Sequence, residues 1–86
     1  MARSGGETLD AVYDASDRVA LGHAFASARK KRGISQRQLE DESKIPQGKI
    51  SRIERGVTYP TIRELDSLAG ALQLRVHLVI LDDAAV

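Results

Sequence analysis

Cysteine is absent from the 86-residue chain, which excludes a disulfide scaffold and every thiolate metal site. No apolar run approaches the roughly 20 residues that a membrane-spanning helix needs, and no signal-peptide pattern opens the sequence. The expected location is therefore cytoplasmic. Histidine is scarce as well, with only His23 and His77. Neither stands at a ligand-like spacing from a carboxylate, so the sequence offers no metal site and no base for catalysis. Phosphate-cradling glycine loops and nucleophile motifs are missing too, and neither an enzyme nor a cofactor is expected. A chain this short makes one small domain whose core barely suffices alone, so association with another copy is already an expectation.

What is there is charge, unevenly placed. The net charge of +1 conceals 11 Lys or Arg against 4 acids between Arg18 and Arg63, and 2 against 8 in the remainder. A basic middle between acidic ends points to a polyanion-binding surface on one side; the alternative is a solvated helical domain with chance clustering.

Residues 1–16 read as a flexible or weakly helical segment. From Asp17 to Lys31 the apolar positions Val19, Leu21, Ala24, Phe25 and Ala28 fit one helical stripe. "RKKR" and then Gly33 supply the stop signals. "SQRQ" is a capping box in which Ser35 accepts from the Gln38 amide, and a short helix follows to about Ser43 with Leu39 inward. Pro46 separates it from the next helix, within "IPQGKISRIERG", which Gly56 ends. Thr61 and Glu64 make a second capping box. The stripe Ile62, Leu65, Leu68, Ala69 and Leu72 continues from it to about Gln73. The composition then changes to "LRVHLVIL", which alternates as one strand over 74–82 and leaves 83–86 as a tail.

Two short helices joined by a tight turn, the second with a polar outer face, match the helix-turn-helix pattern. Residues 17–73 are accordingly read as a DNA-binding domain. Ile45, Ile50 and Ile53 would lock the second helix inward and leave its other face to enter the major groove of double-stranded DNA. On that face Gln47 suits an adenine edge and Arg52 a guanine edge, while Lys49, Ser51 and Arg55 suit phosphate oxygens. Gly48 either permits close approach to the DNA or is merely tolerated near a helix start. A protein-interaction module that does not bind DNA is the rival reading, disfavoured by the excess of cations.

The stretch from "SQRQLEDESKIPQGKISRIERG" through "YPTIRELDSLAGALQL" resembles the helix-turn-helix domain of the phage Cro and repressor class, also called the xenobiotic-response-element class. The likeness spans roughly residues 19–74. It implies a mostly α, four- to five-helix, lambda-repressor-like domain. It further implies that Gln36 meets phosphate, that Arg29 and Glu54 form a partly buried ion pair, and that Tyr59 and Arg63 approach a second phosphate run. Tyr59 can equally be a packing residue. Two positions depart from the pattern: Glu40 stands where a small alanine is usual, and Lys44 where the turn usually carries glycine.

A lone strand leaves backbone groups unpaired, and a second copy of the chain is the simplest partner. The expectation is an intersubunit antiparallel ribbon with Leu74, Val76, Leu78 and Ile80 at the dimerisation surface. Two recognition helices about 34 Å apart would then meet the halves of a palindromic operator. A helix-turn-helix followed by such a strand is similar to antitoxins of toxin–antitoxin operons, HipB-like or HigA-like, which neutralise a toxin and repress their own operon. That likeness implies a homodimeric repressor with a cognate toxin, and it leaves a free-standing regulator open.

Overall fold

The computed structural model describes residues 17–76. Four helices follow one another within them: α1 (Arg18–Lys31), α2 (Gln36–Ser43), α3 (Gln47–Glu54) and α4 (Ile62–Ala71). Their ends are set locally. The Asp17 carboxylate accepts from the Ala20 amide at 3.0 Å and starts α1. Ser35 and Gln38 form a reciprocal capping box at the head of α2, and Thr61 and Glu64 form another at the head of α4. α3 has no side-chain cap and begins at Pro46, whose fixed φ of −55° suits the entry to a helix. Gly33 and Gly56 take positive φ just past α1 and α3, where a left-handed residue lets the last carbonyls find donors.

The turn between α2 and α3 is carried by Lys44 at φ 67°, a conformation that usually selects glycine. Its amide donates to the Glu40 carbonyl at 2.7 Å. The buried Ser43 hydroxyl then accepts from the Ile45 amide at 3.2 Å. Lysine thus adopts the left-handed geometry that glycine would supply without strain.

One core holds the helices together. Phe25, Leu39, Ile45, Ile50, Ile53, Leu65, Leu68 and Leu72 form it, with Leu21, Ala28, Ile34 and Ala71 packed around them. Each fully buried aliphatic or aromatic side chain contributes about 1.5–3 kcal/mol. α3 packs against both α1 and α2, and α4 packs against α2. Close contact between α1 and α3 requires Gly22, because a Cβ there would lie 2.3 Å from the Ile53 carbonyl oxygen. Two members of the expected stripes fall outside the core: Val19 and Ile62 are 53% and 69% exposed. Both sit in the first turn of a helix, at the margin of the apolar face, where periodicity alone does not set depth.

After α4, Gln73 turns left-handed at φ 58° and the Leu74 amide donates to the Ala69 carbonyl at 2.8 Å. Residues 74–76 have no regular secondary structure, and Leu74 and Val76 are exposed. The rest of the expected strand, with Leu78 and Ile80, lies outside the described residues, as do residues 1–16 and the tail. No described helix is long and apolar enough to cross a membrane.

Candidate nucleic-acid interface

α3 is eight residues long, and its two faces are chemically opposite. Ile50 and Ile53 are each 1% exposed, and Ile45 just ahead of the helix is buried with them. The i, i+3, i+4 geometry then places Gly48, Ser51, Arg52 and Arg55 away from the core. Gly48, Arg52 and Arg55 are exposed, while Gln47, Lys49 and Ser51 are half-buried. The Arg52 guanidinium passes 3.7 Å from where a Cβ on Gly48 would stand, an ordinary contact distance, so that side chain lies along the helix over Gly48. The Arg52 side chain makes no hydrogen bond or ion pair among the described residues. Arg55 donates from Nε to the Ser51 hydroxyl at 3.3 Å.

A polar chain crosses three helices behind this face. Arg29 of α1 meets Glu54 of α3 in a two-pronged pair, Nε to Oε2 at 2.8 Å and Nη2 to Oε1 at 3.0 Å. Its remaining nitrogen donates to the Ile34 carbonyl at 2.9 Å. The two side chains are only 12% and 6% exposed. Hydrogen bonding to Glu54 holds the guanidinium proton more tightly than usual, raising the Arg29 pKa against the opposing effect of burial. Gln36 of α2 donates to Glu54 Oε1 at 3.0 Å and accepts from Gln47 Nε2 at 2.7 Å. Gln47 therefore stands braced rather than free. The side-chain amide of Gln36, expected at phosphate, is engaged within the protein.

Lys49 also has an internal partner. Its ammonium lies 3.2 Å from the Glu64 carboxylate, and both side chains are about three-quarters buried, at 24% and 23% exposure. Glu64 is the residue that closes the α4 capping box by accepting from the Thr61 amide at 2.9 Å. That backbone bond, helped by Lys49, pulls the Glu64 pKa below its ordinary 4.5 despite desolvation. Lys49 thus joins α3 to the head of α4.

Two positions not singled out from the sequence help to place the site. Gly22 lets α1 seat against the end of α3, and the signal available was its position inside a helix, which costs about 1 kcal/mol relative to alanine. Arg18 donates from Nε to the Gly56 carbonyl at 2.8 Å, and its guanidinium lies 5.6 Å from the centre of the Tyr59 ring. It thereby ties α1 to the loop after α3, and Tyr59 itself is 46% exposed. Arg63 is exposed in the first turn of α4 and borders a shallow groove with Ile62, Leu65, Asp66 and Val76. Among the described residues no group of three or more His, Cys, Asp or Glu is placed to hold a metal ion.

Comparison with known proteins places these features in a wider set. A family described as Helix-turn-helix matches residues 25–78. An uncharacterized HTH-type transcriptional regulator of Haemophilus influenzae is 37% identical over 68 residues, covering 79% of this chain and 69% of that protein. The transcriptional regulator ClgR of Mycobacterium tuberculosis is 32% identical over 65 residues, covering 76% of this chain but 58% of its own length. Among solved structures, the clp gene regulator ClgR from C. glutamicum matches with a TM-score of 0.66 at 36% identity, over 69% of this chain and 76% of that one. The restriction-modification controller protein C.AhdI from Aeromonas hydrophila matches with a TM-score of 0.67 at 27% identity, over 70% of this chain and 91% of that one.

Proposed function

The chain belongs to the helix-turn-helix family of transcriptional regulators, and from that premise we propose that it is a sequence-specific, homodimeric DNA-binding repressor. The observation that carries this reading is the division of α3. Ile50 and Ile53 are buried while Gly48, Arg52 and Arg55 stand in solvent on a helix narrow enough for the major groove. Arg52, whose side chain has no partner among the described residues, reads a guanine edge. Gln47, braced by Gln36, presents its amide to an adenine edge. Arg55, Ser51 and Tyr59 meet phosphate oxygens, and the head of α2 at Gln36 offers its backbone amides to the same strand. Gly48 allows the helix to approach closely. Lys49 is held by Glu64 in the free protein, so a phosphate contact from Lys49 competes with that pair.

Regulators of this shape read two half-sites, so two copies and a palindromic operator complete the proposal. A narrower reading makes the protein an antitoxin. It rests on the aliphatic "LRVHLVIL" and the acidic ends, and co-purification of a toxin encoded beside it would be its support. We favour the free-standing regulator, which the names of the relatives suit without a further partner.

The test is a duplex titration in rising salt. Binding to random DNA should fall steeply with salt, because each neutralised phosphate releases counterions. A flat salt response would remove the DNA reading. Against a selected operator, Arg52→Ala should cost about 1–3 kcal/mol and relax preference at one position, whereas Arg55→Ala should weaken all duplexes alike.

A further inference from the structure

The chain enters α1 beside the end of α3. Arg18, the first residue of α1, donates to the Gly56 carbonyl at 2.8 Å, and Gly56 directly follows Arg55. Val19 packs so close that its Cα lies 3.0 Å from where a Cβ on Gly56 would stand. The sequence that arrives at this point is acidic. Residues 7–14, "ETLDAVYD", carry Glu7, Asp10 and Asp14 and no cation. Asp14 precedes Asp17 by three residues, a span of at most about 11 Å. Arg55 is the exposed cation beside this entry, and Arg52 stands exposed one turn back along α3. Arg18 is already engaged by the Gly56 carbonyl and the Tyr59 ring. The exposed lysines of α1, Lys30 and Lys31, stand at its far end, about 18 Å along the axis.

We propose that residues 7–14 cover the outer face of α3 in the free protein and that duplex DNA must displace them. Asp14, nearer the entry, meets Arg55, and Asp10 meets Arg52. The inference rests on the DNA reading for its consequence and adds a competitor for the same two guanidiniums. A carboxylate offers a guanidinium paired acceptor oxygens much as a phosphate does. Exposed pairs of this kind are weak singly, but the covalent link at Asp17 makes their formation intramolecular and raises their effective concentration. The segment then sets a threshold rather than a block, because affinity is reduced only by the fraction of chains left uncovered. Asp82 and Asp83 are the competing source of carboxylates. They join the chain through α4, which packs against α2, whereas the earlier acids join it at the end of α3 itself.

Because the chain has no cysteine, Thr8→Cys gives a single attachment point for a nitroxide label on the full-length protein. Without DNA, the label should broaden the amide resonances of Gly48, Arg52 and Arg55 more than those of Lys30 and Lys31. Adding Asp10→Asn and Asp14→Asn to the labelled chain should remove the broadening at Gly48 and Arg52. Salt at about 1 M should do the same, since it shortens the screening length to about 3 Å. A second arm measures binding of unlabelled protein to random duplex at low salt. Asp10→Asn/Asp14→Asn should bind about three- to tenfold more tightly than the wild type. Asp82→Asn/Asp83→Asn, an equal change of net charge at the other end, should leave affinity near the wild-type value. No broadening at Gly48 and Arg52, broadening that survives neutralisation or salt, or equal gains from the two pairs of substitutions would each overturn the proposal. The first arm contains no DNA and is scored by itself. Covered arginines in a chain without affinity for duplex would uphold the contact and sink the DNA reading.

Discussion

Lys44 carries a conformation that its side chain does not favour. A left-handed backbone costs an ordinary L-residue roughly 1–2 kcal/mol, and at φ 67° Lys44 bears that cost to join α2 to α3. Lys44→Gly should therefore stabilise the protein by about 1 kcal/mol once glycine's extra freedom when unfolded is subtracted. Calorimetry should show this as a rise in melting temperature of about 4–8 °C. Gly22 is the opposite case. Alanine is the better helix former by about 1 kcal/mol, yet its Cβ would drive into the carbonyl ends of α3. Gly22→Ala should lower stability by about 2 kcal/mol in a urea titration, the order of an overpacked core. The sequence displays both residues but only one of these consequences. Lys44 stands in a turn whose form is readable from its neighbours. The group that Gly22 must admit lies 31 residues away in the chain, and no local pattern names it.

At the level of the helices, the boundaries were largely written in short stretches of sequence. Ser35 with Gln38 and Thr61 with Glu64 cap α2 and α4 through contacts three residues apart, and such contacts are legible without coordinates. Depth was less legible. Ile62 and Val19 have the right spacing for the core and lie at its edge, because spacing gives a direction and not a distance. Partner choice was less legible still. Lys49 and Gln47 point from α3 as an amphipathic helix requires, but Glu64 and Gln36 receive them only because α4 and α2 arrive where they do. The Glu64 carboxylate, with its lowered pKa, stabilises the fold when ionised. That contribution is present above the ordinary value of 4.5 and is lost as pH falls through the lower folded value. Glu64→Gln should melt below the wild type at neutral pH, and thermal scans should show the gap closing as the solution is taken more acidic than the ordinary value. A gap that stays constant with pH would remove the ionised carboxylate from the account.

Across the whole molecule, the Arg29–Glu54 pair and the glutamines beside it tie α1, α2 and α3 into one unit. The pairing of Arg29 with Glu54 was available only through the family resemblance. Both side chains are nearly buried, so breaking the pair from one side strands a charge, at a cost of about 3–5 kcal/mol. Glu54→Ala should lose that much in chemical denaturation, a large share of the roughly 5–10 kcal/mol that holds a small domain folded. Gln36 loses its acceptor in the same variant, so the brace on Gln47 loosens along with the helix contact.

α3 differs from its neighbours in having no side-chain cap, and its eight residues are too few for a helix that persists alone in water. Its shape is on loan from the rest of the chain. Lesions at Gly22 or Glu54 should therefore give temperature-sensitive regulators, whose function is lost abruptly over the few degrees in which the whole domain melts.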